Sequence, residues 1–179
     1  MLFRSDYADW FIALLKRNDS ESVVLPVKGL INTSGSESVP RISSDGNRLY
    51  FKSTDRAGGM GGEDIWYSER QADGSWGKPV LFSDLSTDSH ETLYSISADG
   101  RVAILFGNYT GTFGNGDLFY SVKSGSSWTV PCNLGGAINT KKWEAQAAIS
   151  PDGKTIVFIT SNKLPGHVGD NDLYFSHLT

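Results

Sequence analysis

The sequence predicts an all-β protein made of β-propeller blades, with three four-stranded antiparallel repeats after a short N-terminal helix. Three observations predict it: a repeat of 53 to 54 residues, an Asp-Gly pair at the same place in every repeat, and unbroken apolar runs on the predicted third strands. The 20 glycines and the aromatic content of 12% suit short strands joined by tight turns. Because three blades do not close a ring, we expect a partial or half propeller.

Each repeat begins at a glutamate and carries the same landmarks in the same order. The glutamates and the Asp-Gly pairs keep the same two spacings, 54 and then 53 residues. A glycine-rich loop and an Asp-aromatic segment follow in every repeat, and a tryptophan and a proline follow in the first two. The repeated residues are Glu37, Asp45, Gly46, Asp64 and Trp76; Glu91, Asp99, Gly100, Asp117 and Trp128; and Glu144, Asp152, Gly153 and Asp172. This shared register predicts one structural unit per repeat.

The landmarks divide each repeat into four predicted strands. In the first repeat the first strand covers residues 39–43, and the Asp-Gly pair then supplies the positive φ angles of a hairpin turn. The second and third strands cover residues 48–51 and 64–68. The fourth strand carries Trp76 and closes at a proline, which suits a strand end.

The third strands decide between a propeller and a sandwich. Residues 65–67 (IWY), 118–120 (LFY) and 173–175 (LYF) are apolar without alternation. An antiparallel strand with one face in water alternates apolar and polar residues, so these runs predict sheets that are covered on both faces. Blades that pack against one another cover both faces, whereas a sandwich leaves one face polar.

The two ends of the chain differ from the repeats. Residues 1–21 are predicted to form a helix and a linker, because Asp6 can cap a helix and Trp10, Phe11 and Leu14 recur at helical spacing. Residues 22–179 form the propeller segment. Residues 22–27 resemble a fourth strand without its first three, and the last repeat stops after a third strand. The early strand is therefore a possible closing strand for the last sheet.

Two arrangements would supply that closure. The chain is either a piece of a longer protein with about six blades, or one half of a homodimer that exchanges strands. An unpaired sheet edge promotes aggregation, and this argument favours the first arrangement.

The repeated carboxylates have both a structural and a functional interpretation. Oxygen ligands in the glycine loops could hold Ca²⁺, but Asp and Asn also stabilise turns, which is the favoured interpretation. The calcium candidates are Asp55, Glu63, Asp64, Asp170 and Asp172. The three repeat glutamates could line a channel, but a residue present in every repeat is expected to be structural. Trp76 and Trp128 are expected to pack against neighbouring strands rather than stack on sugars.

Composition and motifs exclude several functions. The chain has 16 basic and 20 acidic residues, and a net charge of −4 argues against nucleic acid as a partner. No apolar run approaches the ~20 residues of a membrane-spanning helix. There is no Gly-x-Ser-x-Gly elbow, and no Cys/His spacing resembles a zinc site. We therefore expect no enzyme activity and no cofactor other than calcium.

The segments "SSDGNRLYFKSTDRAGGMGGEDIWYS", "SWTVPCNLGGAINTKKWEAQAAISPDG" and "GDNDLYFS" resemble the WD-repeat-like β-propeller repeats of the TolB type. They are most similar to versions in bacterial envelope proteins, where such repeats often precede an OmpA-like domain that binds peptidoglycan. The resemblance implies a periplasmic or outer-membrane-associated location and a binding or scaffolding role. The second repeat departs most, since "GNYTGTFGNG" replaces the usual loop start.

Repeats and resemblance together predict a non-catalytic propeller segment that binds a protein or another envelope component, such as peptidoglycan, through loops on a rigid scaffold. Two alternatives remain open. The chain could be the propeller portion of a larger glycosidase or peptidase, or it could bind carbohydrate through channel residues.

Overall fold

A computed structural model describes residues 25–114 and 116–177. Within these residues the chain forms twelve strands and no helix, arranged in three antiparallel sheets. The all-β prediction is therefore confirmed. The helix predicted for residues 1–21 and the first part of the possible closing strand lie outside the described residues.

Each repeat forms one sheet whose strands follow chain order. Sheet 1 contains β1 (Glu37–Ile42), β2 (Arg48–Thr54), β3 (Glu63–Glu69) and β4 (Val80–Leu81). Sheet 2 contains β5 (Thr92–Ile96), β6 (Val102–Gly107), β7 (Asp117–Ser124) and β8 (Ser127–Trp128), and β9 (Cys132–Asn133) also pairs with β7. Sheet 3 contains β10 (Glu144–Ile149), β11 (Thr155–Thr160) and β12 (Asp172–His177).

The fourth strands lie later in the chain than predicted. Trp128 belongs to β8, a short hairpin extension of β7, and Trp76 forms an isolated bridge with Arg70. The true fourth strands, β4 and β9, begin directly after a proline. Proline has no backbone N–H to donate to a ladder, so pairing with the third strand starts one residue beyond it. The position predicted for the fourth strand is therefore wrong. Sheet 3 has three strands among the described residues, in agreement with a last repeat that stops after its third strand.

The hydrophobic core lies between consecutive sheets. We call the face of a sheet that is turned toward the next sheet its leading face, and the opposite face its trailing face. Tyr50 and Ile65 on the leading face of sheet 1 pack with Leu105 and Phe119 on the trailing face of sheet 2. A second cluster joins the leading face of sheet 2 to the trailing face of sheet 3; its buried members include Ile104, Leu118, Ile156 and Phe158. Burying each such side chain contributes roughly 1.5–3 kcal/mol.

Sheet 3 differs from the other two on its leading face. Ile65 and Leu118 are 0% exposed, whereas the equivalent Leu173 is 70% exposed. Phe175 on the same face is 67% exposed. Burial of the third strand on both faces is thus found in sheets 1 and 2 and was wrongly predicted for sheet 3. The reason is that within residues 25–114 and 116–177 no further sheet packs against this face.

Candidate functional site: the groove along the first strands

The three repeat glutamates all bind their own chain four residues earlier. Each side chain accepts hydrogen bonds from the backbone N–H and the hydroxyl of a threonine. In sheet 3 these distances are 2.9 Å from Thr140 N to Glu144 Oε2 and 2.6 Å from Thr140 Oγ1 to Glu144 Oε1. Thr33 with Glu37 and Thr87 with Glu91 repeat the arrangement. The glutamates therefore fix the backbone at the start of each first strand.

These carboxyl groups lie in different electrostatic surroundings. Burial raises the pKa of Glu91 above its ordinary value, and the hydrogen bonds from Thr87 offset only part of that effect. Burial also acts to raise the pKa of Glu37, but hydrogen bonds from Thr33 and Ser53 and the positive charge of Arg56 hold it below its ordinary value. Arg56 Nη2 lies 3.2 Å from Glu37 Oε1. The difference comes mainly from burial, since Glu91 is fully buried and Glu37 only half-buried, while Ser53 and, to a smaller extent, Arg56 add to the lowering at Glu37.

The aspartates at the start of the third strands hold the glycine loops. Asp64 Oδ2 accepts from the backbone N–H of Met60 at 2.9 Å, and Asp117 Oδ2 accepts from that of Phe113 at 2.6 Å. Asp172 Oδ2 accepts from the Val168 N–H at 2.9 Å. Each carboxylate closes its loop against the strand that comes after it.

The Asp-Gly pairs lie in hairpin turns where the sequence predicted them, but the predicted turn geometry is wrong. Only the glycines have positive φ angles, and each glycine N–H donates to the carbonyl of the serine three residues earlier, so Asp and Gly are the third and fourth residues of the turn. The aspartates share one pattern, in which the carboxylate accepts from a serine hydroxyl two residues before and from the backbone N–H two residues after. These hydrogen bonds lower the pKa values of Asp45, Asp99 and Asp152. The glycines Gly46, Gly100 and Gly153 have φ angles of 74°, 69° and 72°. All six residues thus serve the turns.

The two repeat tryptophans pack against the core from the sheet edges. Trp128 contacts the cluster between sheets 1 and 2, where its ring lies edge-on to Phe82 at 5.7 Å between centroids. Trp76 packs on the outer cluster of sheet 1. Both are half-buried.

The calcium candidates are not drawn together into a cluster of ligands. Glu63 Oε1 pairs with Lys52 Nζ at 2.9 Å, and Asp55 and Asp170 are exposed. The Asp64 and Asp172 carboxylates accept hydrogen bonds from backbone N–H groups of their own glycine loops. In the part of the chain that the structure describes, no group of three or more His, Cys, Asp or Glu side chains could hold a metal ion. Calcium binding stays a sequence-based prediction.

A backbone clasp between the sheets was missed by the sequence analysis. Asn139 Oδ1 accepts from Leu118 N at 2.9 Å, and Asn139 Nδ2 donates to Leu118 O at 2.7 Å. In the previous repeat Ser86 Oγ accepts from Ile65 N at 3.1 Å. The signal was present in the sequence: the segments "INT", "LST" and "INT" each end in the threonine that stands four residues before a repeat glutamate.

The first strands of the three sheets line a groove of about 740 Å³. β5 lies between β1 and β10 and contacts both. Arg41 Nε donates to the Tyr94 carbonyl at 2.6 Å, which ties β1 to β5. The Ile149 N–H donates to Ser95 Oγ at 3.1 Å, which ties β10 to β5. The sheets are therefore joined directly beneath the groove.

A β-bulge interrupts each first strand beside this groove. The pairing register shifts within all three strands, and Val39 and Gln146 at the bulges have positive φ angles of 51° and 47°. A valine in this conformation is strained, by roughly 1–3 kcal/mol, and such strain concentrates at binding and active sites. Bulges also redirect side chains next to such sites. Strain and repetition together mark this groove as the candidate site.

The groove offers an apolar surface with one cation. Ile42 is 61% exposed, and Val39 and Ala148 also line the groove. Arg41 carries the only charge among the described residues that line it. Burial raises the pKa of Tyr94 above its ordinary value, so its hydroxyl stays neutral. This surface suits an extended ligand with apolar groups and an anionic group.

Comparison with known proteins gives a fold but no family. No family model matches the chain, and no curated protein matches it. Among solved structures the chain is similar to TolB from Acinetobacter baumannii, with a TM-score of 0.50 and 16% sequence identity. The match covers 78% of this chain and 29% of that one, so this chain spans less than a third of the TolB chain. At this identity the likeness concerns the fold alone, and it supports a TolB-like β-propeller fold.

No helix among residues 25–114 and 116–177 has the length and hydropathy needed to cross a bilayer.

Proposed function

We propose that the three sheets are blades of a TolB-like β-propeller and that the chain is a non-catalytic binding segment. Its ligand is an extended polypeptide with an acidic group, which lies along the groove formed by β1, β5 and β10. Two findings support the blade arrangement: consecutive sheets pack face to face, and the fold is similar to TolB.

The groove itself carries the proposal. Three strands that each contain a bulge line this groove, and Arg41 is held there by its hydrogen bond to the Tyr94 carbonyl. A guanidinium pairs well with a carboxylate because its planar donors match two oxygens. The exposed Ile42 offers contact area for apolar side chains beside that pair.

The non-catalytic role is supported by what the repeated polar residues do. The Glu, Asp and Thr side chains of the repeats bind backbone groups of their own sheets, which is a structural role. The proposal includes an envelope location and a protein or peptidoglycan-associated partner, as the sequence resemblance implies.

Peptide display against the purified chain tests this function. We expect enrichment of peptides with acidic residues next to apolar ones. Arg41→Ala should weaken the binding of a selected peptide by about 10- to 150-fold, because a hydrogen bond to a charged group contributes about 1.5–3 kcal/mol. Arg41→Lys should retain part of the affinity.

Lys154→Ala is the matched control, because Lys154 is an exposed cation outside the groove. Peptides that bind wild type and Arg41→Ala equally would contradict the groove assignment. Cleaved peptides in the recovered pool, detected by mass spectrometry, would contradict the non-catalytic role.

A further inference from the structure

The outermost faces of the stack are the leading face of sheet 3 and the trailing face of sheet 1, and both are apolar. Leu173 and Phe175 on the leading face of sheet 3 are 70% and 67% exposed. On the trailing face of sheet 1, Phe51 and Trp66 form a cluster with Ile31 that is buried within the chain, at 4%, 5% and 3% exposure. In the two complete interfaces, such trailing-face residues pack with the leading face of the preceding sheet.

The segment before sheet 1 repeats the linkers that complete the other interfaces. Ile31 stands two residues before Thr33, as Leu85 and Ile138 stand two residues before Thr87 and Thr140. Leu85 and Ile138 are buried between sheets, at 0% and 4% exposure. Ile31 is 3% exposed and, among the described residues, packs in the cluster of sheet 1.

The same segment carries a fourth-strand sequence. Pro26 and Val27 match Pro79 and Val80, and Val80 pairs with Tyr67 in the third strand of sheet 1. Residues 25–27 belong to no strand in the structure, and Val27 is 43% exposed. β12, a third strand, has no fourth strand beside it among the described residues.

An exposed residue at the position of the Asn139 clasp accompanies this segment. Asn139 binds the backbone of Leu118, the second residue of β7. Asn32 stands at the equivalent position before Thr33, and it is exposed. The residue of sheet 3 equivalent to Leu118 is Leu173, whose side chain is also exposed.

We propose that two copies of this chain associate head to tail and close a ring of six sheets. Residues 25–32 of each copy dock on sheet 3 of the other: Val27 pairs with Phe175 on β12, and Asn32 clasps Leu173. Two copies give six sheets, within the range of four to eight blades that closed propellers have. A head-to-tail contact that closes also leaves no open edge.

This assembly rests on the blade arrangement proposed above but not on the groove ligand. Failure to dimerise would leave peptide binding through Arg41 intact, and loss of peptide binding would leave the dimer intact. The two proposals are therefore tested separately.

Sedimentation velocity of the purified chain is the first test. We expect a single species at twice the chain mass. Leu173→Asp should convert it to monomer, because the substitution places a charge in an apolar interface. Asn32→Ala should weaken the dimer at least about tenfold, since it removes two backbone hydrogen bonds.

Val168→Asp is the matched control, because Val168 is 92% exposed in the loop before β12. A thermal melt shows that each variant is folded. The proposal is contradicted by a wild-type monomer, by assemblies larger than two copies, or by a dimer that Leu173→Asp leaves intact.

Disulfide trapping then tests the strand pairing. In a Cys132→Ser background, Val27→Cys with Phe175→Cys should form a disulfide between copies, visible as a dimer on a non-reducing gel. Val168→Cys with Val27→Cys is the control pair and should not form one. A disulfide within one copy, or none, would contradict the exchange.

Discussion

Residues at the same repeat position differ in their surroundings. Glu37 and Glu91 bind equivalent threonines, yet the pKa of the first is lowered and that of the second is raised. Glu91 is fully buried, whereas Glu37 is half-buried and also accepts a hydrogen bond from Ser53, whose counterpart in the second repeat is Gly107. Arg56 adds a smaller lowering effect at Glu37. Ionisation of the glutamate therefore favours the folded state at Glu37 and disfavours it at Glu91.

This contrast predicts opposite pH dependences for two variants. Glu37, with a lowered pKa, stabilises the fold above the ordinary value of 4.5, and this stabilisation is lost as the pH falls through its folded-state pKa. Glu91 has a raised pKa, so its contribution to the unfolding free energy is greatest below pH 4.5. That contribution is lost as the pH rises through its folded-state pKa. Urea unfolding of wild type, Glu37→Gln and Glu91→Gln across this range gives the two differences in unfolding free energy.

As the pH rises, the wild-type advantage over Glu37→Gln should grow and that over Glu91→Gln should shrink. Differences that change in the same direction for both variants would contradict the assigned environments.

Strands and their connecting segments explain how the sheets are joined. The glutamate, Asp-Gly and Asp-aromatic landmarks predicted the first three strands of each sheet, because each landmark makes local backbone contacts that depend only on nearby sequence. The clasp at Asn139 was not predicted, because it binds a strand that lies 21 residues earlier in the chain. The groove was not predicted either, since valine at position 39 gives no sign of a positive φ angle.

The clasp predicts a large effect of one asparagine and a small effect of its equivalent. Asn139→Ala leaves the buried N–H and carbonyl of Leu118 without their partner, so we expect a loss of about 2–4 kcal/mol in unfolding free energy. Asn32→Ala should change monomer stability by less than about 0.5 kcal/mol, because Asn32 is exposed. Urea unfolding in a Leu173→Asp background measures both on the monomer. Equal losses would contradict the clasp.

At the scale of the whole molecule, three similar sheets stack in chain order and leave their last face open. The apolar runs of the third strands predicted the stacking, because such runs require cover on both faces of a sheet. These runs did not predict the open face of sheet 3. A repeat pattern assigns the same surroundings to every copy, whereas the exposure of Leu173 depends on whether a neighbouring sheet packs against sheet 3. The likeness to TolB agrees with this stacking.

The packing of one sheet against the next is tested most directly by a double-mutant cycle across the interface between sheets 1 and 2. Phe82 follows β4 and Trp128 lies in β8, with ring centroids 5.7 Å apart. Urea unfolding of Phe82→Leu, Trp128→Leu and the double variant should give a coupling energy of about 0.5–1.5 kcal/mol. Phe82→Leu combined with Phe158→Leu, which lies in a different cluster, should be additive. Additivity of the Phe82 and Trp128 substitutions would contradict face-to-face stacking of the sheets.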